Sequence, residues 1–164
     1  MTYTTIRGAR QHSAANQQHV DRAVDVLFTE FGEARASPDR LRESLTNSRN
    51  VLLSSDVGVA LVLRAGEVGQ KLWQLWVEEK ARGQGIGSAL LKHIISAYTA
   101  DHVMELECPE ARENFYKRHG FHPLFRARGV ARLYMAGPGE SESDVLDRLP
   151  EGHVFRVIRS QSLN

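Results

Sequence analysis

Apolar residues along this chain follow two spacings in turn. Thr2 to Arg7 alternates loosely, as a first strand would. From Val20 the apolar positions are Val20, Val24, Leu27, Phe28 and Phe31, one face of an α-helix, and Gly32 follows where such a helix can end. Ser37-Pro38 reads as an N-cap with proline at the first helical position, and Leu41 and Leu45 give the helix after it one apolar edge. Asn47 to Asn50 has turn chemistry. Val51-Leu52-Leu53 and Val57 to Leu63 then read as a hairpin around Ser54-Ser55-Asp56. A second turn at Ala65-Gly66-Glu67 leads into a strand from Lys71 to Val77 that carries Trp73 and Trp76.

Beyond a glycine-rich segment, Ile86, Leu90, Ile94 and Ala97 form another helical stripe that ends near Thr99. His102 to Cys108 reads as a strand. Pro109 to His119 reads as a helix, with Glu110 and Glu113 in its first turn and Lys117, Arg118 and His119 in its last. That charge order suits the helix dipole, and Gly120 stands where a C-terminal cap belongs. Phe121 to Phe125 and Ala131 to Ala136 complete the series as two strands. The predicted order is β-α-α-β-β-β-α-β-α-β-β. This is an α/β (α+β) domain with a mostly antiparallel sheet and one parallel crossover around the glycine segment. It spans residues 1–137. Residues 138–164 are expected to be a linker and a tail, in which His153 to Ile158 alternates enough to add an edge strand.

Composition narrows the function classes. At 164 residues the chain is long enough to bury a core without disulfide or metal. Its formal net charge of +1 gives no argument for nucleic acid or a membrane surface as partner. Arg126, Arg128 and Arg132 cluster, and the ordinary meaning of such a run is a solvated strand face. The single cysteine, Cys108, excludes an internal disulfide. No stretch is apolar enough to span a bilayer and Met1 to Arg10 has no signal-peptide core, so the expectation is a soluble, cytoplasmic protein. The seven histidines are scattered without metal-ligand spacing, and no metal is expected.

The segment that carries chemistry is Arg82-Gly83-Gln84-Gly85-Ile86-Gly87-Ser88, which lies between a strand and a helix. The first N–H groups of a helix have no partner within it, and the helix dipole adds positive potential there. Glycines let a phosphate approach the backbone, and Arg82 adds a fixed charge. A P-loop would need Gly-Lys-Ser/Thr, whereas Gly87 is followed by Ser88-Ala89. A dinucleotide fingerprint needs Gly-x-Gly-x-x-Gly early in a βαβ unit, whereas this spacing is Gly83-x-Gly85-x-Gly87, late in the domain. A tight turn with close packing explains the glycines without any ligand.

The segment resembles the acyl-CoA loop of the GNAT superfamily of N-acetyltransferases, whose pattern is Gln/Arg-x-x-Gly-x-Gly/Ala. Arg82, Gly85 and Gly87 match each defined position. Leu75-x-Val77, Ala89-Leu90-Leu91 and Asn114-Phe115-Tyr116-Lys117-Arg118-His119-Gly120-Phe121 are also similar to the family, and the resemblance extends from Tyr3 to Ala136. It implies splayed central strands with helices on both faces of the sheet. It also implies acetyl-CoA as co-substrate, held by the backbone of Leu75 and Val77 and by Arg82, Gly83, Gln84, Gly85, Ile86, Gly87 and Ser88. The implied reaction is direct transfer of the acetyl group to a primary amine in a ternary complex. The amine belongs to a small molecule, a protein or a modified base, and a homodimer is compatible with it.

Tyr116 is the candidate acid for the departing thiolate, with core packing as its alternative role. Glu105 and Glu107 are candidates to accept the amine's proton or to hold a cationic acceptor, with solvent-facing carboxylates as the alternative; Glu107 is taken forward. Two departures from the family pattern stand out. Cys108 occupies the place of a frequent asparagine, and Trp73 and Gln74 stand where many members carry an acid. The second departure keeps a rival open, a non-catalytic acyl-CoA-binding or regulatory domain.

Overall fold

The structure is a computed structural model, and it describes residues 4–7, 14–31, 37–47, 49–65, 69–99 and 103–136, with 141 and 143. The expected ends at Gly32, the turn through Gly66, and the strand within the tail lie outside these residues. Residues group into two compact units, Met1–Arg64 with Lys71–His93, and Ala65–Gln70 with Ile94–Asn164.

The first unit holds β1 (Thr4–Arg7), α1 (Ala14–Phe31), α2 (Pro38–Thr46), β2 (Val51–Ser55), β3 (Gly58–Ala65), most of β4 (Gly69–Val77) and the start of α3 (Ile86–Tyr98). Each of the first two strand pairs is antiparallel, with Ile6 opposite Leu52 and Leu52 opposite Leu61. This register puts Ile6, Leu52, Val59 and Leu61 on one face. There they pack with Val20, Ala23, Val24 and Leu27 of α1 and Leu41 and Leu45 of α2. The stripes of α1, from Val20 to Phe28, and of α2 are therefore the faces turned to this core. Ser37 caps α2 as expected, its hydroxyl accepting from the Arg40 N–H at 3.4 Å. Every residue of β2 is buried, so its second face is covered as well. A Cβ placed on Gly58 would come within 2.8 Å of Leu90 Cδ1 and 3.5 Å of Ile86 Cγ2, which puts α3 on the face opposite α1 and α2.

The second unit holds the start of β4 with β5 (Val103–Pro109), a 3-10 turn (Glu110–Arg112), α4 (Glu113–Lys117), β6 (His122–Ala127) and β7 (Val130–Met135). The strand order is β5-β7-β6, antiparallel throughout. The first residues of β4 and β5 lie together, since a Cβ on Gly69 would be 3.1 Å from the Val103 carbonyl oxygen. Leu106 faces Leu133 and Cys108 faces Ala131, and all four are buried. On the alternate face Glu105 lies opposite Tyr134 and Glu107 opposite Arg132.

The order of helices and strands is the predicted one, and one element differs. The helix expected from Pro109 to His119 is a 3-10 turn followed by a five-residue α-helix. Arg112, at φ −101° and ψ −4°, stands between them as the N-cap of α4, with no side-chain capping bond. Charge placement at two ends cannot report such a break, because both pieces keep acids first and bases last.

The β6–β7 hairpin turns on Arg128 and Gly129, both at positive φ (51° and 77°), which is a two-residue type I′ turn. An arginine pays a steric penalty in that left-handed region that asparagine largely avoids. Arg128→Asn is expected to raise the stability by roughly 0.5–1 kcal/mol. This corresponds to about 1–4 °C in the midpoint of thermal unfolding followed by circular dichroism.

Candidate functional site

The glycine segment lies wholly in the first unit. β4 ends at Val77, and the Glu78 N–H donates to the Val57 carbonyl at 2.9 Å, which ties the exit of the strand to the β2–β3 turn. A 3-10 turn at Glu79–Ala81 buries Ala81 and returns the chain toward α3. Arg82 Nε donates to the Val77 carbonyl at 3.0 Å, and Gln84 Nε2 donates to the Lys80 carbonyl at 3.2 Å. Both side chains thus staple the loop from outside. The arginine still brings its charge to the site, and part of its hydrogen-bonding capacity is spent on the end of β4.

Gly83 and Gly85 have φ of 79° and 78°, and nothing lies within 4 Å of a Cβ built on either. Gly87 is helical and does not share this conformation. The Gly85 carbonyl accepts from the Ala89 N–H at 2.9 Å, so Gly85 is the residue from which α3 starts. The N–H groups of Ile86, Gly87 and Ser88 are then the first of the helix, without acceptors inside it. Open space on the glycine side and outward donors at a helix start form a cradle for an anion with several oxygens, which a pyrophosphate has. The residues present therefore fit the phosphate part of acetyl-CoA. Leu75 and Val77, half-buried, form the strand end leading into this loop.

Trp73 and Trp76 pack against the core of the first unit, the packing role open to them from the sequence. Gln74, in the strand where an acid is often found, is buried.

Tyr116 and Glu107 lie in the second unit. Tyr116 is on α4, 8% exposed, with its ring edge-on to Phe115 at 5.0 Å and to Phe121 at 6.0 Å between centroids. Burial pushes its phenol up to about 12, with Cys108 adding to the rise and Arg112 opposing it. The hydroxyl therefore keeps its proton throughout the neutral range. Core packing and a proton-donor role, posed as alternatives by the sequence, are compatible in one residue. Cys108 is buried and its thiol is pushed up to about 11, mainly by burial and then by the charge of Glu113. A thiol that holds its proton so firmly is inert as a nucleophile.

Glu107 pairs with Arg132, its cross-strand neighbour. Arg126 pairs with Glu113, Nε to Oε2 at 2.6 Å and Nη2 to Oε1 at 2.5 Å. Arg126 and Arg128 are exposed, as a solvated face requires, and ion pairs add to that picture. Two of its members hold carboxylates, and the third is the turn residue Arg128. The sequence does not reveal these partners because strand register decides them; only the matching parity of Glu107 and Arg132 hinted at one.

The bidentate bond from Arg126 holds the Glu113 carboxyl below its ordinary range, against an opposing desolvation effect. A depressed carboxyl stabilises the fold above its unfolded value and loses that contribution as pH falls through the folded one. Glu113→Gln should accordingly be less stable than the parent at pH 7. Its melting temperature should also fall less steeply than the parent's between pH 5 and pH 3, a comparison that thermal denaturation at stepped pH provides. Parallel slopes would remove Glu113 as a contributor to acid sensitivity.

Comparison with known proteins bears on the family and the fold. The model of the acetyltransferase (GNAT) domain family matches residues 47–123, from just before β2 to the start of β6. No match was found among curated proteins. Among solved structures, Escherichia coli ElaA superposes with a TM-score of 0.64 at 16% identity, covering 82% of this chain and 98% of its own. A Corynebacterium glutamicum protein described as histone acetyltransferase HPA2 and related acetyltransferase gives 0.60 at 21% identity, over 86% and 99%. An aminoglycoside 6'-N-acetyltransferase complexed with coenzyme A gives 0.58 at 13%, over 82% and 94%. At these identities the structures share the fold, and the family match carries acetyl transfer in general. Residues 47–123 are thus similar to a GNAT acetyltransferase domain, and the chain shares that fold with the solved structures.

Proposed function

We propose that the chain is an N-acetyltransferase that uses acetyl-CoA to acetylate a primary amine by direct attack in a ternary complex. The observation that carries this reading is the start of α3, where Gly83 and Gly85 take positive φ with open space beside them and the first N–H groups have no acceptor inside the helix. One of the structural relatives was solved with coenzyme A, which supports the same co-substrate.

Acetyl-CoA supplies an acyl group already activated as a thioester. The chain's own residues bind, orient and move protons. The N–H groups of Ile86, Gly87 and Ser88, with the backbone of Gly83 to Gly85 and the charge of Arg82, would hold the pyrophosphate. The strand end at Leu75 and Val77 would hold the pantetheine arm through its backbone. Tyr116, protonated at neutral pH, donates its proton to the departing sulfur. Glu107 is the proposed carboxylate for the amine. It lies on β5 opposite Arg132, with which it pairs, and its carboxylate is the group proposed to meet the amine. An alkyl ammonium has a reference pKa of about 10.4 and must lose a proton before it attacks. The acceptor class is a small-molecule amine, a protein amine or a modified base.

Two experiments test this reading. A saturating amount of acetyl-CoA, about 100 times its Kd, should stabilise the chain by roughly 2.7 kcal/mol, or about 5–10 °C in melting temperature. ATP and NAD should not. Gly85→Asp puts a side chain and a negative charge into the cradle and should remove the shift, and Gly85→Asn separates the charge from the bulk. A folded Gly85→Asp protein that still binds acetyl-CoA normally would rule out the loop.

Activity is tested with spermidine, an aminoglycoside and a lysine-containing peptide as acceptors. Tyr116→Phe retains the ring and its packing and should lower kcat by about 10²–10⁴-fold. Its affinity for acetyl-CoA should be nearly unchanged, as when an interaction made only in the transition state is lost. Full kcat with chemistry rate-limiting would exclude Tyr116 as the acid. Binding of acetyl-CoA with neither acetylation of any acceptor nor slow hydrolysis would identify a non-catalytic binding domain instead.

A further inference from the structure

We infer that Glu113 and Arg126 are positioning residues for the reaction, holding α4 so that the Tyr116 hydroxyl is presented in one orientation. The inference rests on the reading of Tyr116 as the proton donor. Its geometry lies entirely within the second unit.

α4 has five residues, Glu113 to Lys117, and Tyr116 is the fourth of them. So short a helix has few internal hydrogen bonds and does not fix its own direction. Its direction comes from outside, and the β6–β7 hairpin provides it at two points. At the start of the 3-10 turn the Glu110 N–H donates to the Gly129 carbonyl, at the tip of the hairpin, at 3.0 Å. At the start of α4 the Glu113 carboxylate accepts both donors of Arg126 from β6. Downstream, the Tyr116 carbonyl accepts from His119 N–H at 2.9 Å and from Phe121 N–H at 3.3 Å. Tyr116 is thereby held between a charged clamp three residues before it and a backbone turn just after it.

Stability alone does not account for the clamp. Glu113 is 6% exposed, and taking a carboxylate out of water costs as much as a good ion pair returns, so an apolar side chain there would serve the core equally well. The paired donors of an arginine add what an apolar contact lacks, a fixed direction between two planar groups. Lys117 Nζ, 3.8 Å from Glu113 Oε1, adds charge to the carboxylate but only a single point of contact. A lysine at position 126 would likewise keep the charge and lose the paired geometry.

The test is a double-mutant cycle between Arg126→Lys and Tyr116→Phe, assayed with acetyl-CoA and whichever of the three amines above is acetylated. Arg126→Lys should lower kcat about tenfold, the scale of a small misplacement of a reacting group. KM for acetyl-CoA should not change. In the Tyr116→Phe background the same substitution should change kcat less than about twofold, because the hydroxyl it orients is gone. Glu113→Asp, which keeps the charge and shortens the reach, is the second variant should Arg126→Lys fail to fold, and it should behave in the same way. An equal loss of kcat with and without the Tyr116 hydroxyl, or a change in KM alone, would overturn the positioning role while leaving Tyr116 in place. Full kcat in Tyr116→Phe itself, or no acetylation of any of the amines, would overturn both readings.

Discussion

A helix that begins in the open must leave its first backbone donors without helical acceptors, and the glycine segment of this protein is built around that constraint. Nothing can be done for the N–H groups of Ile86, Gly87 and Ser88 from within α3. Gly85, at the capping position, has no side chain to offer them. Its positive φ, like that of Gly83, turns the chain so that the approach to those donors stays clear. The surroundings keep the arrangement rigid. Glu78 is tied to Val57, Arg82 to the end of β4 and Gln84 back to Lys80. Gly58 lets α3 lie close against the hairpin beneath it, where a Cβ would meet Leu90. Donors preorganised in this way need no rearrangement to meet an anion, which is where their value for binding lies.

Tyr116 shows the complementary arrangement in the second unit. Its ring is core and its hydroxyl is the proposed proton donor. Packing edge-on against Phe115 and Phe121 removes the phenol from water, and the loss of solvation is what raises its pKa. Burial that would be a cost for a group meant to ionise is of no consequence for one meant to carry its proton at neutral pH. The same environment makes Cys108 a small apolar filler, fully protonated, in place of a reactive thiol.

The two ion pairs of the second unit belong to different parts of the argument. Arg132 and Glu107 are opposite neighbours on β7 and β5, each about a quarter exposed, and a pair of that kind contributes little to stability. Its effect is to fix where the Glu107 carboxylate lies on the sheet face. Arg126 and Glu113 join an exposed strand residue to a buried helix residue, and that pair governs direction. Both pairs use arginine, whose planar fork can meet a carboxylate with two donors at once.

Periodicity, caps and glycine spacing determined the helices, the strands and their order, because those signals are local. The stripe from Val20 to Phe31, the Ser37-Pro38 start and the run from Arg82 to Ser88 each carry their physics in a few consecutive residues. The loop as a candidate anion cradle was read from the same local signals, whereas Tyr116 as a candidate came from the family resemblance of Phe115-Tyr116. The tertiary structure alone decided which charges meet. Glu113 and Arg126 are thirteen residues apart, and Glu107 and Arg132 twenty-five, with a break between the 3-10 turn and α4 shifting the phase of everything after it. From the sequence those arginines read as one solvated strand face, and Arg126 and Arg128 are exposed. Strand register separated them into a clamp, a cross-strand partner and a turn, because register is set by packing between distant segments and a single sequence does not display it.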